Sequence, residues 1–430
     1  MKLPKKLSKA TILTILFLLS RIIILLFPPA HYSDVTHDYE RYANMWWYGM
    51  PPYLEHYFEY PPATIPFLIF PLLLDQLGVG KYYLNYRLGI FAFDCLLFVF
   101  IVKAFKKLKL SEFSQRISLL FYIVGGLIVK DFLYEGIDLL FAGLLAISLI
   151  SILLYDQAKI RNRISFWTIF FFSGAIKFMS LPLLPLFFLS KKLSFKKELL
   201  ALLIGGILIW GGPLFMYRSS LSVSVVFHMG RPLKYSSIGS NLIEGINLFT
   251  HSEHRVEEPP DFQMAGPVSN TMNRVFGIIF PVSILGVLSY GLWKLIKIQK
   301  HKNILEGFWE LLKKPITISN VQIFQLLLKI SLVYILTLFI TGKVFSQPFS
   351  IWLLPLLAVT GFKSLKQKKT VLIAGLLFML LLSSSIPQIP KIILPFLGAG
   401  YDLCKDYIRI GLMFYLLWLS FELPEKTYEA

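Results

Sequence analysis

Two carboxylates, Asp34 and Asp38, stand just beyond a long apolar run, and aromatic residues follow them closely. The stretch reads Tyr32-Ser33-Asp34-Val35-Thr36-His37-Asp38-Tyr39, then Trp46-Trp47-Tyr48-Gly49, Pro52-Tyr53 and Glu59-Tyr60-Pro61-Pro62. A hydroxyl nucleophile needs a carboxylate in hydrogen-bond reach to take its proton as the new bond forms, and aromatic rings suit sugar faces. The same residues also fit an aromatic belt with solvated acids at a membrane surface. A second cluster, His228-Met229-Gly230-Arg231-Pro232-Leu233-Lys234-Tyr235-Ser236-Ser237, gathers cations and hydroxyls able to hold a phosphate or pyrophosphate. Arg231 would bind by paired hydrogen bonds and Lys234 as a point charge; a loop basic by chance is the alternative.

Two further groups lie in or beside apolar runs. Asp94, Asp138, Lys177 and Lys329 interrupt such runs, where a charge costs about 2.5–3.5 kcal/mol and normally has a partner or a task. Internal pairing is expected of Asp94 and Lys329, whereas Lys177, between two broken helices ahead of Pro182, suits a head-group contact. The turn from Gly342 to Pro355, with Lys343, Ser346 and Gln347, either faces the site from a second side or is a plain turn with a proline kink. His251-x-x-His254 beside Glu253 and Glu258 lacks the HExxH spacing of a helical zinc site. No metal and no cofactor are expected.

The elements that must position these groups follow from composition. Of 430 residues, 56% are hydrophobic and 16% charged, against about a quarter charged in soluble chains, and the mean hydropathy is +0.64. This excludes a water-soluble globule, and the long apolar runs Ile12 to Phe27 and Leu199 to Tyr217 exclude the short alternating segments of a membrane barrel. The net charge of +18 does not imply nucleic acid, because the cations sit in short loops between apolar runs. They are Lys2 to Lys9, Lys103 to Arg116, Lys159 to Arg163, Lys191 to Lys197, Lys294 to Lys314 and Lys363 to Lys369, the positive-inside pattern. Cys95 and Cys404 are the two cysteines, too few for a disulfide framework.

With the basic loops inside, the first run is a retained span and signal anchor, since Arg21 interrupts it and no small-x-small cleavage site follows. Residues 28–83 then form an acidic external loop. Within it, Pro62 to Leu74 is about half the ~20 residues a span needs and carries Pro66 and Pro71, so a re-entrant or interfacial helix is expected. Asn85 to Val102, Ile117 to Val129 and Asp138 to Tyr155 are the next spans. Ile164 to Leu189, interrupted by Gly174, Lys177, Pro182 and Pro185, is expected as two short helices meeting near Lys177. Residues 218–273 form a second external loop. The remaining spans bring the total to roughly twelve crossings in a single all-α polytopic domain over 1–430, with both termini inside.

Taken together, these pieces resemble the GT-C class of polytopic glycosyltransferases, most closely glycosyltransferase family 87 and the GPI mannosyltransferase I catalytic subunits. The resemblance is carried by Ser33-Asp34-Val35, Tyr39 to Ala43, Gly49, Pro52-Tyr53 and Glu59-Tyr60-Pro61-Pro62, then Gly136-Ile137-Asp138-Leu139-Leu140, Ile176-Lys177-Phe178, Arg231-Pro232 through Ser236, and Lys343-Val344-Phe345-Ser346 to Pro355. The Asp-x-Asp spacing of the GPI enzymes is not kept, and Ser346-Gln347-Pro348-Phe349 reorders the Ser-Pro-Gln-Tyr motif. The resemblance implies an inverting enzyme that moves a hexose, most often mannose, from a polyprenyl- or dolichyl-phosphate donor to a lipid-linked or glycan acceptor on the extracytoplasmic face. Asp34 would be the base, with Asp38, Tyr39, Glu59, Tyr60, Lys177, His228, Arg231, Lys234, Ser236, Lys343 and Gln347 contacting substrate. The expected location is the plasma membrane of a prokaryote, with membrane lipids as partners. A lipid-linked sugar flippase, or a non-catalytic subunit of a transferase complex, is the competing reading, although no internal repeat of the transporter kind is present.

Overall fold

The computed structural model describes residues 9–27, 33–234, 236–250, 254–258, 261–300, 303–383 and 398–425. Tyr32, Tyr235, His251 and Glu253 lie outside the described residues. Apolar runs fold as helices because a helix pairs its backbone groups internally where no water is available to do so. The first, α1 (Lys9–Leu26), is followed from Val35 to Tyr39 by one π-helical turn with Asp34 at its head, which passes directly into α2 (Glu40–Trp47). Gly49, at φ +89°, takes the left-handed conformation that lets the chain turn after α2. Next, α3 (Ile65–Gln76) packs along α4 (Tyr82–Leu108), where Asn85 Nδ2 donates to the Pro71 carbonyl at 3.3 Å. The 12 residues of α3 rise about 18 Å, short of the about 30 Å of bilayer hydrocarbon.

A hairpin follows: α5 (Glu112–Ile128), a tip carrying the short α6 (Lys130–Leu133), and the almost fully buried α7 (Asp138–Leu154). Helix α8 (Ile160–Ile176) stops at Lys177, which is extended at φ −144°, ψ 129°; a 3-10 turn over Phe178–Leu183 and α9 (Leu184–Leu189) then lead the chain back. These are the two short pieces that Gly174 and the prolines imply. A Cβ at Gly174 would meet Leu181 Cδ2 at 2.4 Å, so the glycine is what lets the returning strand of chain lie against α8. The chain continues through α10 (Phe195–Tyr217), α11 (Ser222–Gly230) and α12 (Ile238–Thr250).

Here the structure departs from a purely helical expectation: β1 (His254–Glu258) and β2 (Asp261–Ala265) form an antiparallel hairpin within the second predicted external loop. The rest is helical, comprising α13 (Pro267–Ile298), the short α14 (Ile304–Lys313) inside a basic loop, α15 (Asn320–Thr341), a 3-10 turn over Gln347–Trp352 leading into α16 (Leu353–Ala358), α17 (Leu365–Leu382) and α18 (Gly398–Phe421). Among the described residues, four helical stretches, Tyr82–Leu108, Phe195–Gly230, Pro267–Ile298 and Asn320–Thr341, are long and apolar enough to cross a membrane. The molecule is a helical membrane protein, with α15 at the centre of the bundle and large apolar side chains such as Ile207 and Phe215 exposed on its flank.

Basic loops collect at one end of the bundle. Lys191 Nζ donates to the Leu311 carbonyl and Lys192 Nζ to that of Ile318. Lys368 Nζ reaches Ser114 Oγ, Asn320 Nδ2 the Tyr155 carbonyl at 3.2 Å, and Lys294 lies 2.6 Å from Glu425. Each contact joins two loops that the positive-inside pattern assigns to the same side. Buried charges within the bundle are paired, as expected for Asp94 and Lys329. Asp94 accepts from Arg21 Nε at 2.8 Å, Tyr122 at 2.5 Å and Tyr134 at 2.9 Å, and Lys329 donates to the Leu423 carbonyl at 3.0 Å. A Cβ at Gly126 would sit 2.2 Å from the Arg21 guanidinium, so that residue must be glycine for α1 and α5 to close over the pair.

Removing one partner of such a pair leaves the other charge buried and uncompensated, a loss of about 3–5 kcal/mol. Arg21→Leu is therefore expected to lower the unfolding temperature of the detergent-solubilised protein steeply, and Arg21→Leu/Asp94→Leu to restore part of the loss. Thermal unfolding of the three proteins measures this, and a double variant no better than Arg21→Leu would refute the account.

Candidate active site

At the end opposite the basic loops, the chain leaving α1 is held by a buried ion pair. Arg87 Nε lies 2.9 Å from Glu135, and its guanidinium donates to the carbonyls of Ile24 at 2.7 Å, Leu25 at 3.0 Å and Phe27 at 3.3 Å. The first two are among the last carbonyls of α1, which have no acceptor role left within the helix, and the third lies just beyond it. Glu135 in turn accepts from Ser33 Oγ at 2.5 Å and from Tyr83 at 3.0 Å. One carboxylate and one guanidinium thus join the end of α1, the start of α4 and the α5–α7 tip, and they place Ser33, the residue before Asp34.

Three oxygens converge over Gly136. A Cβ there would lie 3.3 Å from Asp138 Oδ2, 3.8 Å from the Tyr39 hydroxyl and 4.0 Å from Asp34 Oδ2. Asp138, first residue of α7, also accepts from Lys177 Nζ at 2.6 Å and from Trp352 Nε1 at 2.5 Å. The Lys177 ammonium lies over the rings of Phe349 and Trp352, about 5 Å from each centroid. Burial, followed by the negative charges of Asp138 and Asp38, pushes the Asp34 carboxyl up to about 7, with Lys177 opposing them. Asp34 is therefore a carboxylate poised near neutrality, as a general base should be.

Aromatic rings wall this carboxylate. Tyr39 meets Tyr60 edge to face at 5.6 Å and Tyr86 at 5.5 Å, and burial raises the hydroxyls of Tyr39 and Tyr60 well above their ordinary range. Tyr53 donates to the Tyr60 carbonyl, which fixes the Tyr60-Pro61 corner.

A cationic side faces the acidic one. Glu59 and Arg231 are electrostatic partners, and burial raises the first and lowers the second. Arg231 also stacks on Phe227, 5.1 Å from its centroid. Burial, then Arg231, brings Lys234 down to about 8, while Asp34 and Glu59 act in the other sense. His228, in the last turn of α11, reaches the segment of Glu59. Its Nε2 lies 3.2 Å from the Glu59 carbonyl; a carbonyl only accepts, so this nitrogen carries the proton. The loop is tied to the 342–352 turn by Lys234 N donating to the Lys343 carbonyl at 2.9 Å and by Ser236 Oγ donating to that of Phe345. Arg409 of α18 donates to the Ser236 carbonyl at 3.1 Å.

The structure thus brings together Asp34, Tyr39, Glu59, Tyr60, Lys177, His228, Arg231 and Lys234. Asp38 sits at the rim, 3.2 Å from the exposed Arg41. Ser236 and Lys343 serve through backbone ties, and the Lys343 ammonium lies against Gly277 of α13, about 3.7 Å from where a Cβ would be. Gln347 is exposed, its carbonyl accepting from Ser350 Oγ at 2.8 Å. Sequence reasoning singled out Asp138 as a charge in an apolar run and within a segment of the resemblance, without a role at the site, and it missed Glu135, Arg87 and the opening over Gly136. The available signal for Glu135 was a carboxylate in a hairpin tip only three residues ahead of Asp138.

A carboxyl whose folded-state value lies above its unfolded one is destabilising once ionised. That cost is absent below about pH 4, grows as pH rises and is complete above about 7. Asp34→Asn, which mimics the protonated form, is expected to raise the unfolding temperature at pH 8 and to raise it less at pH 4.5. Equal shifts at both values would contradict the environment described. No family model and no curated protein matches this chain, so the chemistry of the site rests on its geometry.

Proposed function

We propose that this protein is an inverting glycosyltransferase of the GT-C kind, moving a hexose, mannose in this reading, from a polyprenyl-phosphate donor to a lipid-linked or glycan acceptor. The observation that carries the reading is the opposition of a near-neutral carboxylate, Asp34, to the buried cations Arg231 and Lys234 across an aromatic-walled site. It is supported by the position of that site at the end remote from the basic loops. Those loops face the cytoplasm in this reading, which gives a multi-pass protein of roughly twelve crossings in a prokaryotic plasma membrane with its site outside.

The acceptor hydroxyl lies against Asp34, which takes its proton as the oxygen bonds to the anomeric carbon. The bond from that carbon to the donor phosphate oxygen breaks on the opposite face, and its electron pair goes to the lipid phosphate. Arg231 and Lys234 stabilise the charge gathering there. Lys177, held by Asp138 and Trp352, offsets the ionised Asp34. The tyrosine wall packs on the sugar and sheds water from it.

Transfer of radiolabelled mannose from polyprenyl-phosphate-mannose to membrane lipid is expected to fall about 10²–10⁴-fold in Asp34→Asn, with equal amounts of folded protein. Transfer at the wild-type rate would end the proposal in favour of a flippase or a non-catalytic subunit. For kcat/KM the pH profile is expected to be bell-shaped. Activity is lost below about 7 as Asp34 takes a proton and above about 8 as Lys234 loses one. Lys234→Arg keeps the cation charged, so its alkaline limb should disappear while the acid limb stays; an unchanged alkaline limb would remove Lys234 from the phosphate site.

A further inference from the structure

Far from Asp34, at the basic end of the bundle, α17 and α18 enclose a groove of about 600 Å³. Lys366 and Lys369 stand at its mouth, and Ile373, Leu377, Leu412 and Tyr415 line its length. The spacing 366, 369, 373, 377 puts these residues on one face of α17. Lys368, between the two lysines, turns the other way to donate to Ser114, so the lysines of this segment are divided between a buried contact and an exposed groove. Both groove lysines are exposed, and the residues lining the groove include no carboxylate.

From Leu365 to Leu377 the helix rises about 18 Å, close to the about 15 Å of hydrocarbon in one leaflet. An apolar trough of one leaflet's depth with two cations at its mouth has the complementarity of a phospholipid: acyl chain below, anionic phosphate above. We propose that this groove binds one anionic phospholipid of the leaflet on the basic side, with its head group on Lys366 and Lys369 and a chain along Ile373, Leu377 and Leu412. Exposed Ile373, at 55%, and Leu377, at 46%, would then be covered by a specific lipid rather than by bulk hydrocarbon. This gives the protein a second lipid contact, unconnected with the Asp34 site.

The test is native mass spectrometry of the full chain in detergent, with phosphatidylglycerol and phosphatidylcholine at equal concentration. Wild type is expected to retain phosphatidylglycerol preferentially, and retention should fall about fivefold for each lysine removed in Lys366→Gln and Lys366→Gln/Lys369→Gln. Ile373→Trp, which fills the groove and leaves both lysines, is expected to lower retention as well. Equal retention of the two lipids, undiminished retention in the double variant, or displacement of the lipid by glycerol phosphate alone would overturn the proposal. The readout uses no sugar donor, so it stands or falls apart from the transferase reading.

Discussion

The ion pair of Asp138 with Lys177 holds the site end of this molecule together. Neither charge is stable alone in an apolar bundle, so the two must meet, and the Trp352 indole must meet them. Each belongs to a chain segment that changes direction there. Asp138 begins α7, Lys177 ends α8, and Trp352 ends the turn before α16. Without that meeting point, three returns of the chain would have no common register.

The pair also acts on Asp34, whose carboxyl burial raises most. Asp34 faces Asp138 across the opening above Gly136, and the negative charge of Asp138 hinders ionisation of Asp34, while Lys177 moderates the effect. A carboxylate kept near neutrality in this way is less stable than a solvated one. The Arg87–Glu135 pair holds the segment that carries Asp34 in place from behind. The division of labour is physical: one buried pair anchors the backbone and another tunes the charge.

Charge also arranges the molecule on the larger scale. Lysines of three separate loops bond two carbonyls, a hydroxyl and a carboxylate of neighbouring segments at one end, while acids and cations meet at the other. The two ends therefore differ in kind. The basic end is a set of caps on helix termini and a surface for anionic head groups, and the other is a closed arrangement of opposite charges around an aromatic wall.

Much of this was legible in the sequence. Composition and the long apolar runs determine a helical membrane protein, because only helices satisfy their backbone within such runs. The distribution of lysine determines which loops share an end, and the prolines around Lys177 determine that α8 breaks, since proline removes a helical hydrogen bond. The acid and cation clusters around Asp34 and Arg231 were visible as local strings. Which of these charges face one another was decided by the tertiary structure, because such partners lie far apart along the chain: Asp138 and Trp352 are 214 residues apart, Ser33 and Glu135 102. The hairpin of β1 and β2 and the turning of Lys343 toward α13 were likewise settled by packing. A sequence states the charges a bundle must bury, and only the folded bundle states how it pairs them.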